Sequence, residues 1–158
     1  MITIRKAPIQ DIDTILKLNN ELCKYEMGEG FDSYKPDWSL SNESKEYFLD
    51  LIKNQYVAIA EDNGNVVGYW AGSIYEDGTY SYYEGKTSEL NNMFVANTHR
   101  KSGIGSLLIN SFEKWCKDKN VSRMLVTASY LNSTAQKFYC KNGFSNINIT
   151  LKKDLNKL

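Results

Sequence analysis

Between an apolar stretch, Met93-Phe94-Val95, and an amphipathic one beginning at Ile104 lies a short basic loop, Asn97-Thr98-His99-Arg100-Lys101-Ser102-Gly103. The apolar stretch is strand-like. Downstream, Ile104, Leu107, Leu108, Phe112, Trp115 and Cys116 recur at helical spacing and predict one buried stripe. A strand-to-helix turn of this kind presents backbone N–H groups with no acceptor inside the helix, at the positive end of its dipole. Gly103 and Gly105 let a ligand approach the backbone closely, and Arg100 and Lys101 add full positive charge at the mouth. The chemistry predicted is the binding of phosphate or pyrophosphate. The loop is not G-x-x-x-x-G-K-[ST], which argues against a nucleoside triphosphatase. Nor is it G-x-G-x-x-G with a downstream acid, which argues against a dinucleotide site. Its pattern is Arg100-x-x-Gly103-x-Gly105.

A second constellation stands one helix and one strand further on: Asn132-x-x-Ala135-x-x-x-Tyr139-x-Lys141-x-Gly143-Phe144. The two together resemble the GCN5-related N-acetyltransferase (GNAT) superfamily. The first matches its acyl-CoA pyrophosphate loop, and the second the motif that follows the fifth strand and ends in Tyr-x-x-x-Gly-Phe. The motifs cover residues 89 to 144, and the order of elements extends the resemblance along the chain.

The resemblance implies an N-acetyltransferase with acetyl-CoA as cosubstrate, no metal, and direct attack by a primary amine in a ternary complex. It implies strands four and five splayed apart beside the loop, with the pantetheine arm in the gap. That arm would meet the backbone of Met93, Phe94 and Val95, while Arg100, Lys101, Ser102, Gly103, Ile104, Gly105 and Ser106 hold the pyrophosphate. Asn132, Ala135 and Tyr139 would face the donor from the next helix; seven residues, near two turns, separate the first from the last. Acyl transfer from a thioester to an amine needs a neutral amine, a polarised carbonyl and a protonated leaving sulfur. By resemblance Tyr139 is the acid for the departing thiolate. Glu89, at the start of strand four, is the base for the acceptor ammonium, directly or through water. Glu26, Glu29 and Glu84 are alternatives. The plainer readings are a core tyrosine closing its helix and an exposed strand-start carboxylate. Two departures stand out: Asn91 and Asn92 are polar where strand four is commonly apolar, and position 97 is Asn where proline is frequent.

The elements that must position these groups follow from periodicity. Ile2-Thr3-Ile4-Arg5 alternates as a first strand. Pro8, Asp11 and Asp13 open a helix whose Ile12, Ile15, Leu16 and Leu22 share a face. From 25 to 42, Gly28, Gly30, Pro36 and Asn42 break the periodicity while Tyr25, Met27, Phe31, Tyr34 and Trp38 stay apolar. This reads as a loop or broken helix, either lining the acceptor site or tucked onto the core. Ser41 to Glu46 caps a second helix with Tyr47, Phe48, Leu51 and Ile52 inward. Tyr56 to Ala60 and Val66 to Ile74 form a hairpin about Asn63-Gly64. A turn near Asp77-Gly78 leads to Tyr80, Tyr82 and Tyr83. Met124 to Ala128 is a buried-type strand, Asn132 to Cys140 a helix closed by Asn142-Gly143, and Phe144 to Leu151 a final strand. The fold class is α/β (α+β layered), with a mixed, mostly antiparallel sheet and helices on both faces.

One domain over residues 1–158 suits this length. No run spans a bilayer and no signal peptide is evident, so a cytoplasmic protein without a membrane partner is expected. Cys23, Cys116 and Cys140 show no paired spacing, which argues against a disulfide framework or a zinc site. Cys116 and Cys140 read as buried hydrophobes. Net charge is zero, so no nucleic acid partner is expected. Charge is uneven, however. Residues 21 to 50 are acidic and 137 to 158 basic, which suits a cationic acceptor and a polyanionic donor. With the tyrosine-rich segments this suggests a polyamine, an aminoglycoside-like amine or a peptide amine. A homodimer through an edge strand near the C-terminus is a family-type expectation. The competing readings are a non-catalytic acyl-CoA-binding sensor or interaction module, and a nucleotide-binding enzyme, which lacks its lysine-serine pair and metal-binding acids.

Overall fold

Four consecutive residues, Val57, Ala58, Ile59 and Ala60, are wholly buried because their strand carries helices on both faces. The computed structural model describes residues 1–31, 35, 37–76, 84–153 and 155. In chain order the elements are β1 (Ile2–Lys6), α1 (Ile12–Gly28), α2 (Asn42–Asn54), β2 (Tyr56–Asp62), β3 (Asn65–Tyr75), β4 (Thr87–Val95), α3 (Ile104–Asp118), β5 (Arg123–Val126) and α4 (Ser133–Lys141). Short 3₁₀ turns stand at Ile9–Asp11, Trp38–Leu40 and Asn97–His99.

The strands lie in the order β1-β2-β3-β4-β5, antiparallel except for the parallel β4–β5 pair. Alternation along β2 and β3 divides the core. Val57, Ile59, Tyr69 and Ala71 pack with Ile12, Ile15, Phe48 and Leu51 under α1 and α2. Ala58, Ala60 and Trp70 pack with Ile104, Leu108, Ile109 and Phe112 of α3 on the other face. The small Ala58 and Ala60 leave room there for the Trp70–Phe112 ring pair, whose centroids are 4.6 Å apart.

The predicted segments hold, with corrections. α1 runs on through Tyr25, Met27 and Gly28, so the break expected from residue 25 begins only at Glu29. Tyr25 to Met27 are helix-compatible residues, and the first positive φ is at Gly30. In α3 the buried stripe includes Ile109, whereas Leu107 is exposed. Cys116 is buried as expected, but Cys140 is exposed on the outer side of α4. The final strand is absent: residues 144–153 have no regular structure. Ile147, Ile149 and Leu151 are 58%, 74% and 90% exposed. Alternation shows that a segment can be a strand, but it does not supply an edge to pair with. The turn at Asp77-Gly78, Tyr80, Tyr82 and Tyr83, together with Tyr34 and Pro36, lie outside the described residues. Among the described residues no helix is long and apolar enough to cross a membrane.

Candidate active site

β4 and β5 are paired only from Thr87 opposite Arg123 to Leu90 opposite Val126. Beyond Leu90, β4 continues to Val95 while β5 has ended. The divergence begins at a bulge: Ala71 of β3 faces Asn92 and Gly72 faces Leu90, so Asn91 is the extra residue. The polar pair that departs from the family pattern therefore marks a strand distortion. Asn91 Oδ1 accepts from Ser73 Oγ at 2.8 Å. Asn92 Nδ2 donates to Tyr47 OH at 3.2 Å.

The gap holds a cavity of about 210 Å³, lined in part by Glu26, Asn91, Met93, Thr127, Ser129 and Tyr139. Met93 lines it. Ala96 N–H bonds to Val67 of β3 at 2.9 Å, so by strand alternation Phe94 also faces β3 and its two neighbours face outward. The Phe94 side chain is core, 4% exposed. A wider groove of about 390 Å³ lies between α1 and α2, where Asp13 and Lys45 pair at 3.9 Å. It carries neither phenol nor thiol, whereas Tyr139 lines the smaller gap.

At the end of β4 the loop turns into α3. Lys101 and Gly103 adopt φ of 62° and 85°, and Gly103 occupies the N-cap with no side-chain cap. The first helical bond runs from Leu107 N–H to Gly103 O, so the N–H groups of Ile104, Gly105 and Ser106 precede it. That arrangement suits an anion. Ile104 is buried in the core and Ser102 Oγ donates to His99 O. A Cβ on Gly105 would sit 3.0 Å from two ring carbons of Phe138, so this glycine makes room for that ring between α3 and α4. Arg100 turns back along β4: Nε donates to Val95 O at 3.0 Å and the guanidinium covers Tyr25 and Phe94.

On α4, Asn132 is the N-cap, its Oδ1 accepting from Ala135 N–H at 3.0 Å. Both residues thus shape the start of α4. Tyr139 lies two turns on and reaches the cavity. Burial, and secondarily the charge of Glu26, push its phenol up to about 12. The helix closes behind it through Phe144 N–H to Tyr139 O and Gly143 N–H to Cys140 O.

Glu89 is not in this cavity. Its Oε2 accepts from Tyr75 OH at 3.2 Å, on the α1–α2 side where Tyr47 also lies; burial first, with Tyr75 and Glu89 adding repulsion, raises Tyr47 to about 12. Of the alternatives, Glu26 lines the cavity, whereas Glu29 and Glu84 are exposed outside it. The sequence reading missed a buried polar network behind Glu89. Asn19, wholly buried, donates to Tyr69 OH at 2.9 Å and to Asn92 Oδ1 at 3.5 Å. The available signal was a polar residue in α1's inward stripe, between Ile15 and Cys23. Among the described residues no cluster of three or more His, Cys, Asp or Glu could hold a metal.

A sheet that opens beside a glycine loop at a helix N-terminus is the architecture of acyl-CoA N-acyltransferases. The family described as Acetyltransferase (GNAT) family matches residues 20–144, and the chain belongs to it. A tetramutant of the BH1408 protein from Bacillus halodurans has a TM-score of 0.83 at 21% identity, covering 97% of this chain and 99% of that one. A predicted acetyltransferase with acetyl-CoA from Clostridium acetobutylicum gives 0.75 at 24%, covering 98% and 97%. The aminoglycoside N-acetyltransferase AAC(6')-Iy in complex with CoA gives 0.76 at 19%, covering 99% and 95%. These likenesses establish the shared fold. Comparison with curated proteins gives no match.

Proposed function

We propose that residues 1–158 form one acetyl-CoA-dependent N-acetyltransferase domain that passes the acetyl group directly to a primary amine. The observation that carries this is the junction of two features: an uncapped helix N-terminus at the end of β4, and a cavity alongside that strand lined in part by Tyr139. In this reading the N–H groups of Ile104, Gly105 and Ser106, with Lys101, receive the pyrophosphate. The outward backbone of Met93 and Val95 holds the pantetheine arm. The bound thioester supplies an activated acetyl carbonyl. Glu89, on the far side of β4 from Tyr139, takes the proton of the acceptor ammonium, directly or through water. Tyr139 gives its proton to the leaving sulfur. Acid and base then act on opposite sides of the carbonyl, as attack and departure require. Glu26, next to Tyr139, helps to keep the phenol protonated.

The acceptor we propose is a cationic amine, of polyamine or aminoglycoside type or a peptide amine. Glu89 with Tyr75 and Tyr47 supplies a carboxylate beside phenol rings. The AAC(6')-Iy structure with a bisubstrate analogue, CoA-S-monomethyl-acetylneamine, has a TM-score of 0.76 and supports that class. A cytoplasmic setting suits the three free cysteines, and the open edge of β5 is the proposed seam of a homodimer.

Thermal unfolding with acetyl-CoA, CoA, ATP and NAD tests the donor. A ligand at a hundredfold excess over its dissociation constant adds about 2.7 kcal/mol to apparent stability. Acetyl-CoA and CoA should raise the midpoint and ATP and NAD should not; the reverse pattern rejects the reading. An amine screen follows. Tight donor binding with no acetylation of any amine class would instead favour a non-catalytic acyl-CoA sensor.

A further inference from the structure

We propose that Arg100 is a positioning residue that fastens the donor loop to α1 and to the end of β4, leaving the pyrophosphate to backbone N–H groups and Lys101. The proposal rests on the acetyl-CoA reading above. Its motif position suggests a phosphate ligand, because arginine pairs well with phosphate oxygens. The structure engages it elsewhere. The guanidinium carbon lies 4.9 Å from the Tyr25 ring centroid and 5.1 Å from that of Phe94. Nε donates to Val95 O at 3.0 Å.

These partners place the side chain on one face of the sheet. Phe94 belongs to the core under α1 and α2, and Tyr25 lies near the end of α1. The N–H groups at the start of α3 belong to the other face, where Ile104 and Leu108 are buried. The ring contacts of Arg100 therefore belong to the face opposite the one into which the start of α3 packs.

The contacts also have a function to perform. Lys101 and Gly103 both hold left-handed backbone, so the loop's shape has to be maintained by anchors at its entry. Arg100 ties that entry to Val95, one of the two β4 residues whose backbone faces outward. It therefore sets the strand end that meets the pantetheine arm as well as the loop beyond it. Lysine cannot substitute, since it lacks the planar face that stacks and the Nε donor.

The test uses the full chain and two donors, acetyl-CoA and S-acetylpantetheine, which lacks the pyrophosphate. The variants are R100A, R100K and Y25L, and affinity is read by calorimetry at two salt concentrations. A positioning role predicts that R100A and R100K weaken both donors alike, by about tenfold. Y25L, which keeps the charge and removes one stacking wall, should weaken both by about threefold. The salt dependence of acetyl-CoA binding should stay that of the wild type. Arg100 as a phosphate ligand predicts the opposite: R100A weakens acetyl-CoA alone and flattens its salt dependence, R100K restores it, and Y25L changes nothing. That pattern overturns the proposal. If R100A melts below the working temperature, Y25L and R100K decide the question. A wild type that binds neither donor rejects the acetyl-CoA reading and this proposal with it. A wild type that binds, with R100K equally tight, rejects this proposal alone.

Discussion

Tyr139 holds its proton because burial disfavours the phenolate, and the adjacent Glu26 charge adds to that. In the proposed role of acid, its usefulness depends on what it must protonate. A thiolate in water, with a thiol pKa of about 8.5, would take a proton from a phenol at about 12 only at a cost of about 5 kcal/mol. A thiolate out of water is a different base. Cys116 provides an internal measure: burial chiefly, with Glu113 adding, raises its thiol to about 11 although Ser88 opposes the shift. A sulfur as dry as that one would differ from Tyr139 by about one unit, about 1.4 kcal/mol. Tyr139→Phe should therefore lower turnover by about a hundredfold or more while leaving donor affinity within about twofold; steady-state rates and calorimetry read the two separately. Alkaline stability is a second check. The folded phenol titrates near 12 and the unfolded one near 10, so between those values the folded chain holds a proton that the unfolded chain has lost. Stability then falls as pH rises across that window. Urea midpoints through the window should fall less steeply for Tyr139→Phe than for the wild type.

At the scale of elements, the glycine loop does two jobs that look alike in sequence. Gly103 takes positive φ at the N-cap, where a side chain would be strained. Gly105 has no such constraint and instead lets the Phe138 ring rest on α3. Gly105→Ala should destabilise the fold by about 1–3 kcal/mol through overpacking. Shortening the opposing ring in the double variant Gly105→Ala/Phe138→Leu should recover part of that loss, measured by chemical unfolding. A pure anion-approach role for Gly105 predicts lost donor affinity with unchanged stability, and no rescue. The bulge at Asn91 is the other decisive local feature. One extra residue stands where β4 and β5 part, and beyond it, among the described residues, Met93 and Val95 pair with β3 alone.

Across the whole molecule the sheet separates two groups of residues. Tyr139 packs on the α3 face, and Tyr47, Tyr69, Tyr75 and Glu89 lie on the α1–α2 face. The sheet ends at the short β5, and the tail beyond α4 keeps its alternating apolar residues exposed. If that tail joins a partner's β5 edge in the proposed homodimer, sedimentation of the wild type should show two chains and Ile149→Lys should return it to one. In dilute protein the same substitution should change stability by no more than about 0.5 kcal/mol, because Ile149 has little to lose in a single chain.

The sequence by itself determined the elements and the family. Helical and strand periods, the Asn63-Gly64 turn and the two spaced motifs are local properties, and local forces decide them. The core stripes of α1, α2 and α3 were legible within a residue or two for the same reason. Tertiary structure decided what those properties could not reach. Whether Gly105 serves an anion or a ring, and whether Arg100 meets phosphate or stacks on Tyr25, depends on residues far away in the chain. Neither the separation of Glu89 from Tyr139 across β4 nor the presence of Glu26 beside the phenol follows from spacing. The lost final strand has the same origin: a period of two prepares a strand, but only an available edge forms one.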